Sequence, residues 1–122
     1  MQNWRLYKMT QNNLQTIINN GGATITANGR PVNYQKGWQV SKQDLAIIDL
    51  NDRQKILDFI NKTQKQLNPG EYLGLWADAG KMYIDKSEHY NSKQEAIKQG
   101  LALNQISIFD WKNKTCLYLI KR

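Results

Sequence analysis

Two spacings of apolar residues alternate along this chain. In residues 10–20, TQNNLQTIINN, Leu14, Ile17 and Ile18 recur at helical intervals. Thr10 is placed to cap the start of that helix, and Gly21 suits the left-handed position after its end. GATITANGRPVNY then reads as a hairpin, with Ile25 between threonines, a turn at Asn28-Gly29, and Val32 and Tyr34 on the return leg. After Gly37 the segment WQVS is extended. LAIIDL, residues 45–50, is an apolar run that periodicity alone leaves open between strand and helix. From Asp52 the spacing is helical again, through Ile56, Phe59, Ile60, Thr63 and Leu67, until Asn68-Pro69-Gly70 stops it.

The C-terminal half is expected to run hairpin, helix, hairpin. GLWADAGKMYIDKS, residues 74–87, turns at Asp78–Gly80, and a two-residue turn sets Trp76 opposite Tyr83. Leu75, Met82 and Ile84 then share one face, while Trp76 and Tyr83 share the other. In residues 92–103, Ser92 and Glu95 are spaced as a capping box, and Ala96, Ile97, Gly100 and Leu101 give a small-residue face. ISIFD and TCLYLI flank WKNK as the second hairpin. Pairing Asp110 with Thr115 puts Ile106, Ile108, Leu117 and Leu119 on one side, and Ser107, Phe109, Cys116 and Tyr118 on the other. The expected fold is therefore α+β: an antiparallel sheet with about three helices packed mainly on one face, in a single domain over residues 1–122.

Composition narrows the chemistry more than it names it. Seventeen basic residues against ten acidic ones give a net charge of +7, which favours an anionic partner, although no run of five or six basic residues is present. Asn and Gln make up about a fifth of the chain, so neutral hydrogen-bonding side chains are plentiful. Cys116 is the only cysteine, which rules out an intramolecular disulfide and suits a reducing cytoplasm. The first residues lack the apolar stretch of a signal peptide, and no apolar run spans a membrane; a soluble cytoplasmic protein is expected. One His and one Cys cannot make a zinc site, and no metal or cofactor is expected. His89 reads as an incidental surface residue, Cys116 as a small buried hydrophobe, and Gly21-Gly22 as a helix end with no phosphate-cradling role. Asp85 and Asp110 either converge as a carboxylate pair or, more simply, each closes a turn at a strand end. No nucleophile or phosphate-loop motif occurs, and the chain is read as a binder and not an enzyme.

Recognition is where the sequence is rich. Trp4, Trp38, Trp76 and Trp111 accompany six tyrosines and two phenylalanines. Trp76 and Tyr83, joined by Phe109 and Tyr118 if both hairpins enter one sheet, make an aromatic face opposite the helix-packed one. The N-terminal helix and hairpin, a second subunit, or a ligand would cover it. Asn104-Gln105, between helix and strand, offers amides that read a nucleotide edge or close a helix end.

The ordered set Gly74, Trp76, Gly80-Lys81, Tyr83, Asp85, Ser87, Glu95-Ala96, Asn104-Gln105 and Ile108-Phe109-Asp110 resembles a module of small phage and mobile-element proteins. It covers the last third to two-fifths of the chain. Among such proteins the chain is similar to the anti-Thoeris sponges, which bind cyclic-ADP-ribose-type signals without cleaving them and so silence a bacterial defence. That resemblance implies an α+β binder without catalytic residues, a homodimer or higher oligomer, a small anionic nucleotide ligand, and residence in the host cytoplasm. No ligand motif of that family aligns here residue by residue, so the expected ligand contacts come from the aromatic face and its neighbours: Trp76, Tyr83, Asp85, Asn104, Gln105, Phe109 and Arg30. With only four arginines, lysines and backbone amides would carry much of any phosphate contact. A basic nucleic-acid-binding protein, or a module that docks on a host defence enzyme, are the alternative readings.

Overall fold

The computed structural model describes residues 8–120. In chain order its elements are α1 (Gln11–Asn20), β1 (Gly22–Ile25), β2 (Trp38–Asp49), α2 (Arg53–Gln64), β3 (Glu71–Asp78), β4 (Lys81–Tyr90), α3 (Lys93–Ala102), β5 (Ser107–Asp110) and β6 (Thr115–Tyr118). The strands form one six-stranded sheet in the order β1-β3-β4-β2-β5-β6, and every neighbouring pair is antiparallel. Three helices with such a sheet make an α+β fold. None of the described helices is long and apolar enough to cross a membrane.

Local signals set most of the element ends. Thr10 Oγ1 accepts from the Asn13 amide at 3.2 Å, and Asn13 Oδ1 accepts from the Thr10 amide at 3.1 Å, a reciprocal cap on α1. Gly21, at φ 88°, closes that helix in the left-handed conformation. Ser92 caps α3 by accepting from the Glu95 amide at 3.2 Å. The expected return bond from Glu95 is not made, because its carboxylate accepts instead from Gln99 Nε2 at 2.9 Å. Between β3 and β4 the turn residues Ala79 and Gly80 both have positive φ, 49° and 78°, the type I′ geometry that matches strand twist. Asp78 therefore faces Lys81, and Trp76 faces Tyr83, as the spacing predicts.

All three helices lie on one face of the sheet. Leu14 and Ile17 of α1 and Ile56, Leu57 and Ile60 of α2 pack with Ile25, Ile48, Leu73, Leu75, Met82 and Ile84 in one buried cluster. Each such side chain contributes about 1.5–3 kcal/mol through burial. A second cluster joins Ala96 of α3 to Val40 and Ile108, with Leu117 and Leu119 against it. A Cβ at Gly100 would collide with Leu119 and press on Ile108, so glycine is what lets α3 lie this close. Lys42 straps the helix down, donating to Gln99 Oε1 and to Tyr90 Oη, each at 3.0 Å, while 3.7 Å from Glu88.

The structure departs from the sequence reading in several places. WQVS and all of LAIIDL but its final Leu50 belong to one twelve-residue strand, β2, whose register against β4 slips at Ser41/Gln43 and at Asp44/Ala46. Those two bulges break the alternation that a sequence reading depends on. The return leg after Asn28-Gly29 is not a strand: it makes a single bridge, Ile25 to Pro31, and the Val32 amide donates to Thr24 O at 2.9 Å. The Thr26 amide donates to Arg30 O on the other side of that bridge, and the pairing goes no further than Val32. Leu101 and Ile106 are exposed and do not join the core. Cys116 is also exposed, because its side of β6 faces away from the helices. The N-terminal helix does not cover the aromatic face; α1 packs on the opposite one with α2.

Candidate functional site

Alternation across the strands assigns the second face. It carries Tyr72, Gly74 and Trp76 from β3, and Tyr83, Asp85, Ser87 and His89 from β4. β2 adds Gln39, Ser41, Asp44 and Ile47, opposite His89, Ser87, Asp85 and Tyr83 respectively. Phe109 reaches it from β5, opposite Gln39. None of the described helices lies over this face. The segment after Val32 crosses one end of it instead, and there the Tyr34 ring sits 4.1 Å from that of His89 and 5.6 Å from that of Trp111. The Tyr34 and Tyr72 hydroxyls are hydrogen-bonded. Lys114 donates to Asn33 Oδ1 and to Tyr34 O, tying this crossing segment to the β5–β6 turn.

What remains open is a cleft of about 920 Å³, within the size range of small-molecule sites. Its floor is Thr24, Gly74, Asp85, Ser87, Ser41 and Gln39. Trp76 stands at one end, Trp111 and Lys114 at the other, and Gln105, Phe109, Cys116 and Tyr118 along the β5–β6 side. The floor is polar and in part rigid. Trp111 Nε1 can only donate, and it does so to Gln39 Oε1 at 3.0 Å. That bond orients the amide, so that Gln39 Nε2 donates to Ser87 Oγ at 2.9 Å. Ser87 and Gln39 are both buried, and a buried amide linked at both ends holds one orientation.

Asp85 is the unusual member. Burial, helped by the Asp44 carboxylate across the strand pair, pushes its pKa up to about 6, against smaller opposing effects of the Ser41 hydroxyl and the Gly74 amide. Three Lys–carboxylate ion pairs occur among the described residues, Lys42–Glu88, Lys81–Asp49 and Lys86–Glu71, and none involves Asp85. The Ser41 Oγ beside it is buried and meets no partner at full hydrogen-bond geometry. A Cβ at Gly74 would collide with Asp85 Oδ1; the carboxylate folds over the neighbouring strand, and only glycine leaves room for it. Gly22 plays a similar part at the cleft's end, where a Cβ would strike Leu75 O and press on the Trp76 ring.

The expected ligand residues divide into those the cleft gathers and those it does not. Trp76, Asp85, Gln105 and Phe109 line it. Tyr83 lies beside Trp76 and borders a smaller hollow with Asp44, Ile47 and Asp85. Ile47, Trp76 and Tyr83 are exposed, at 64, 54 and 38%. Asn104 stands outside the lining, ending α3 with φ 58° and donating its amide to Leu101 O at 3.1 Å. Arg30 also stands outside it, in the turn after β1, where its carbonyl accepts from the Thr26 amide at 2.9 Å. Trp4 lies outside the described residues. Asp85 and Asp110 do not converge: Asp110 closes the β5–β6 turn through Asn113 and the Lys112 amide, while Asp85 sits in mid-strand with Asp44 as its neighbour. His89 is half-buried; it lies under Tyr34, and its Nε2 donates to Lys36 O at 3.0 Å.

Gln39, Ser41, Ser87 and Trp111 were not legible as site residues. Ser87 appeared in the motif and Trp111 in a turn, but only the pairing of β2 with both β4 and β5 brings the four together. Among the described residues no three His, Cys, Asp or Glu side chains are grouped to hold a metal ion. The arrangement offers stacking, fixed amide and hydroxyl contacts, and one carboxylate. Comparison with protein-family models, with curated proteins and with solved structures found no match for this chain.

Proposed function

We propose that this chain is a non-enzymatic binding protein that sequesters a small nucleotide-type ligand in the cleft of the helix-free sheet face. The observation that carries this reading is the combination in one 920 Å³ space of the exposed Trp76 ring and the Gln39–Ser87–Asp85 floor. A flat ring supplies a stacking surface, and the floor supplies donors and acceptors in fixed positions. Lys114 at the far rim, and the chain's +7 charge, suit the phosphates. Sequestration requires affinity alone, and stacking with fixed polar contacts is what the cleft supplies.

The finer reading is a phage anti-defence sponge for a cyclic-ADP-ribose-type signal, working in the host cytoplasm as a homodimer or higher oligomer. It rests on the resemblance of the Gly74–Asp110 module, and the exposed Ile47 and Tyr83, beside the cleft, are the surface on which a second copy would sit. An open face with Asp44 and Asp85 near its centre is a poor track for a nucleic-acid backbone, so sequestration ranks above nucleic-acid binding. Calorimetry with ADP-ribose, cyclic ADP-ribose isomers and common nucleotides tests the proposal. Micromolar or tighter binding with the nucleotide recovered intact is expected; no binder in that panel would refute it. Light scattering on the purified chain reads the oligomeric state separately.

A further inference from the structure

Asp85 presents a problem that the cleft solves. A carboxylate has about four lone-pair sites to fill, and this one is largely buried, makes no ion pair among the described residues, and is met on the protein side mainly by the Gly74 amide and the Ser41 hydroxyl. Its open side faces the cleft. A buried acceptor left unfilled is unfavourable, so the group that completes this site must bring hydrogen-bond donors. A phosphate diester brings none at neutral pH, and any phosphate's negative charge would be repelled.

Position narrows the donor further. Asp85 faces Gly74, and Trp76 lies two residues along the same strand on the same face, a diagonal neighbour about 7–8 Å away. A nucleobase stacked on Trp76 carries its sugar toward Asp85. Around the carboxylate the cleft floor consists of small hydroxyl residues, Ser41 and Ser87, and the bare backbone of Gly74, with the exposed Asp44 opposite on β2 bordering the neighbouring hollow. That is a recess for a compact polar ring with no flat surface to grip a second base. Lys114 lies beyond it, at the end opposite Trp76.

We infer that Asp85 holds the vicinal 2′- and 3′-hydroxyls of a ribose, with Ser41 and Ser87 beside it, the base on Trp76 and the phosphates directed to the Lys114 rim. The inference rests on the nucleotide-binding reading and adds to it the sugar specificity and the residue that sets it. Two neighbouring hydroxyls donate to the two oxygens of one carboxylate, the same chemistry by which acidic residues read ribose in dinucleotide sites.

The test is equilibrium binding of ADP, ADP-ribose and cyclic ADP-ribose, each beside its 2′-deoxy form, to the wild-type chain and to Asp85→Asn. Hydrogen bonds to a charged partner predict about a 10- to 100-fold preference for the ribose form on the wild type. Asp85→Asn should reduce that preference to within about threefold. Asn matches Asp in shape and removes a buried charge, so the variant is expected to fold; circular dichroism checks this. If ribose and deoxyribose forms bind the wild type equally, or if Asp85→Asn keeps the preference, the inference falls while nucleotide binding stands. If none of the six compounds binds, both fall together.

Discussion

Replacing Asp85 by Asn should stabilise the protein, and the size of the gain follows from the burial of its carboxyl. The group titrates near pH 6 in the folded chain and near its ordinary 3.8 once unfolded. Between those values the folded state binds more protons than the unfolded one, so stability falls as pH rises through the window. Above pH 6 the whole difference is lost, and at about 1.4 kcal/mol per pH unit it amounts to roughly 3 kcal/mol. Some water reaches the carboxylate through the cleft, so about 2–3 kcal/mol is the expected measured gain for the variant at pH 7. Near pH 4 the wild-type carboxyl is mostly neutral in the folded state, and the two proteins should differ by well under about 1 kcal/mol. Urea denaturation of both proteins at pH 4, 5, 6, 7 and 8 reads this directly, because other titrating groups cancel in the difference. A gain that is the same at every pH, or a loss of stability at pH 7, would refute the reasoning.

Other outcomes follow from neighbouring residues. Trp111→Phe keeps the ring but removes the donor to the buried Gln39 Oε1; a loss of about 1–3 kcal/mol in chemical denaturation is expected. Gly74→Ala drives a methyl group into the Asp85 carboxylate and should cost about 1–3 kcal/mol. Much of that loss should vanish in an Asp85→Ala background, so a double-mutant cycle that proves additive would contradict the close approach. Leu73→Ala, at a fully buried position in the larger cluster, should cost about 2–5 kcal/mol by the same assay. Trp76→Ala, by contrast, removes an exposed ring. Its stability cost should stay near the ~0.2–1 kcal/mol of a cross-strand pair, while nucleotide affinity falls by about 1–3 kcal/mol in calorimetry.

The comparison of sequence with structure is instructive in its failures. Short-range chemistry was legible: the caps at Thr10 and Ser92, the left-handed Gly21, and the Ala79-Gly80 turn that pairs Trp76 with Tyr83. Each depends on residues within a few positions of one another, whose geometry few alternatives can satisfy. The continuity of β2 is not legible in the sequence, because its bulges shift the phase of the alternation twice. The cleft was half-legible for a related reason. Trp76, Asp85 and Phe109 could be placed on a face by counting within their own hairpins, whereas Gln39 and Ser41 required the register of β2, and Trp111 required the course of the chain beyond β5.

By itself the sequence determined which residues turn, cap and alternate, and therefore that two faces of one sheet would differ: one aliphatic, the other aromatic and polar. Those are consequences of backbone stereochemistry and of a two-residue repeat, and they act locally. Only the tertiary structure decided what each face meets. The order β1-β3-β4-β2-β5-β6 gathers all three helices over the aliphatic side, against its two buried clusters. Among the described residues it leaves the other side open except where Tyr34 crosses it. Long strand pairings are set by the burial they achieve together, so the position of Asp85 beside Asp44, and above the space that Gly74 leaves free, exists only once β3, β4 and β2 lie side by side.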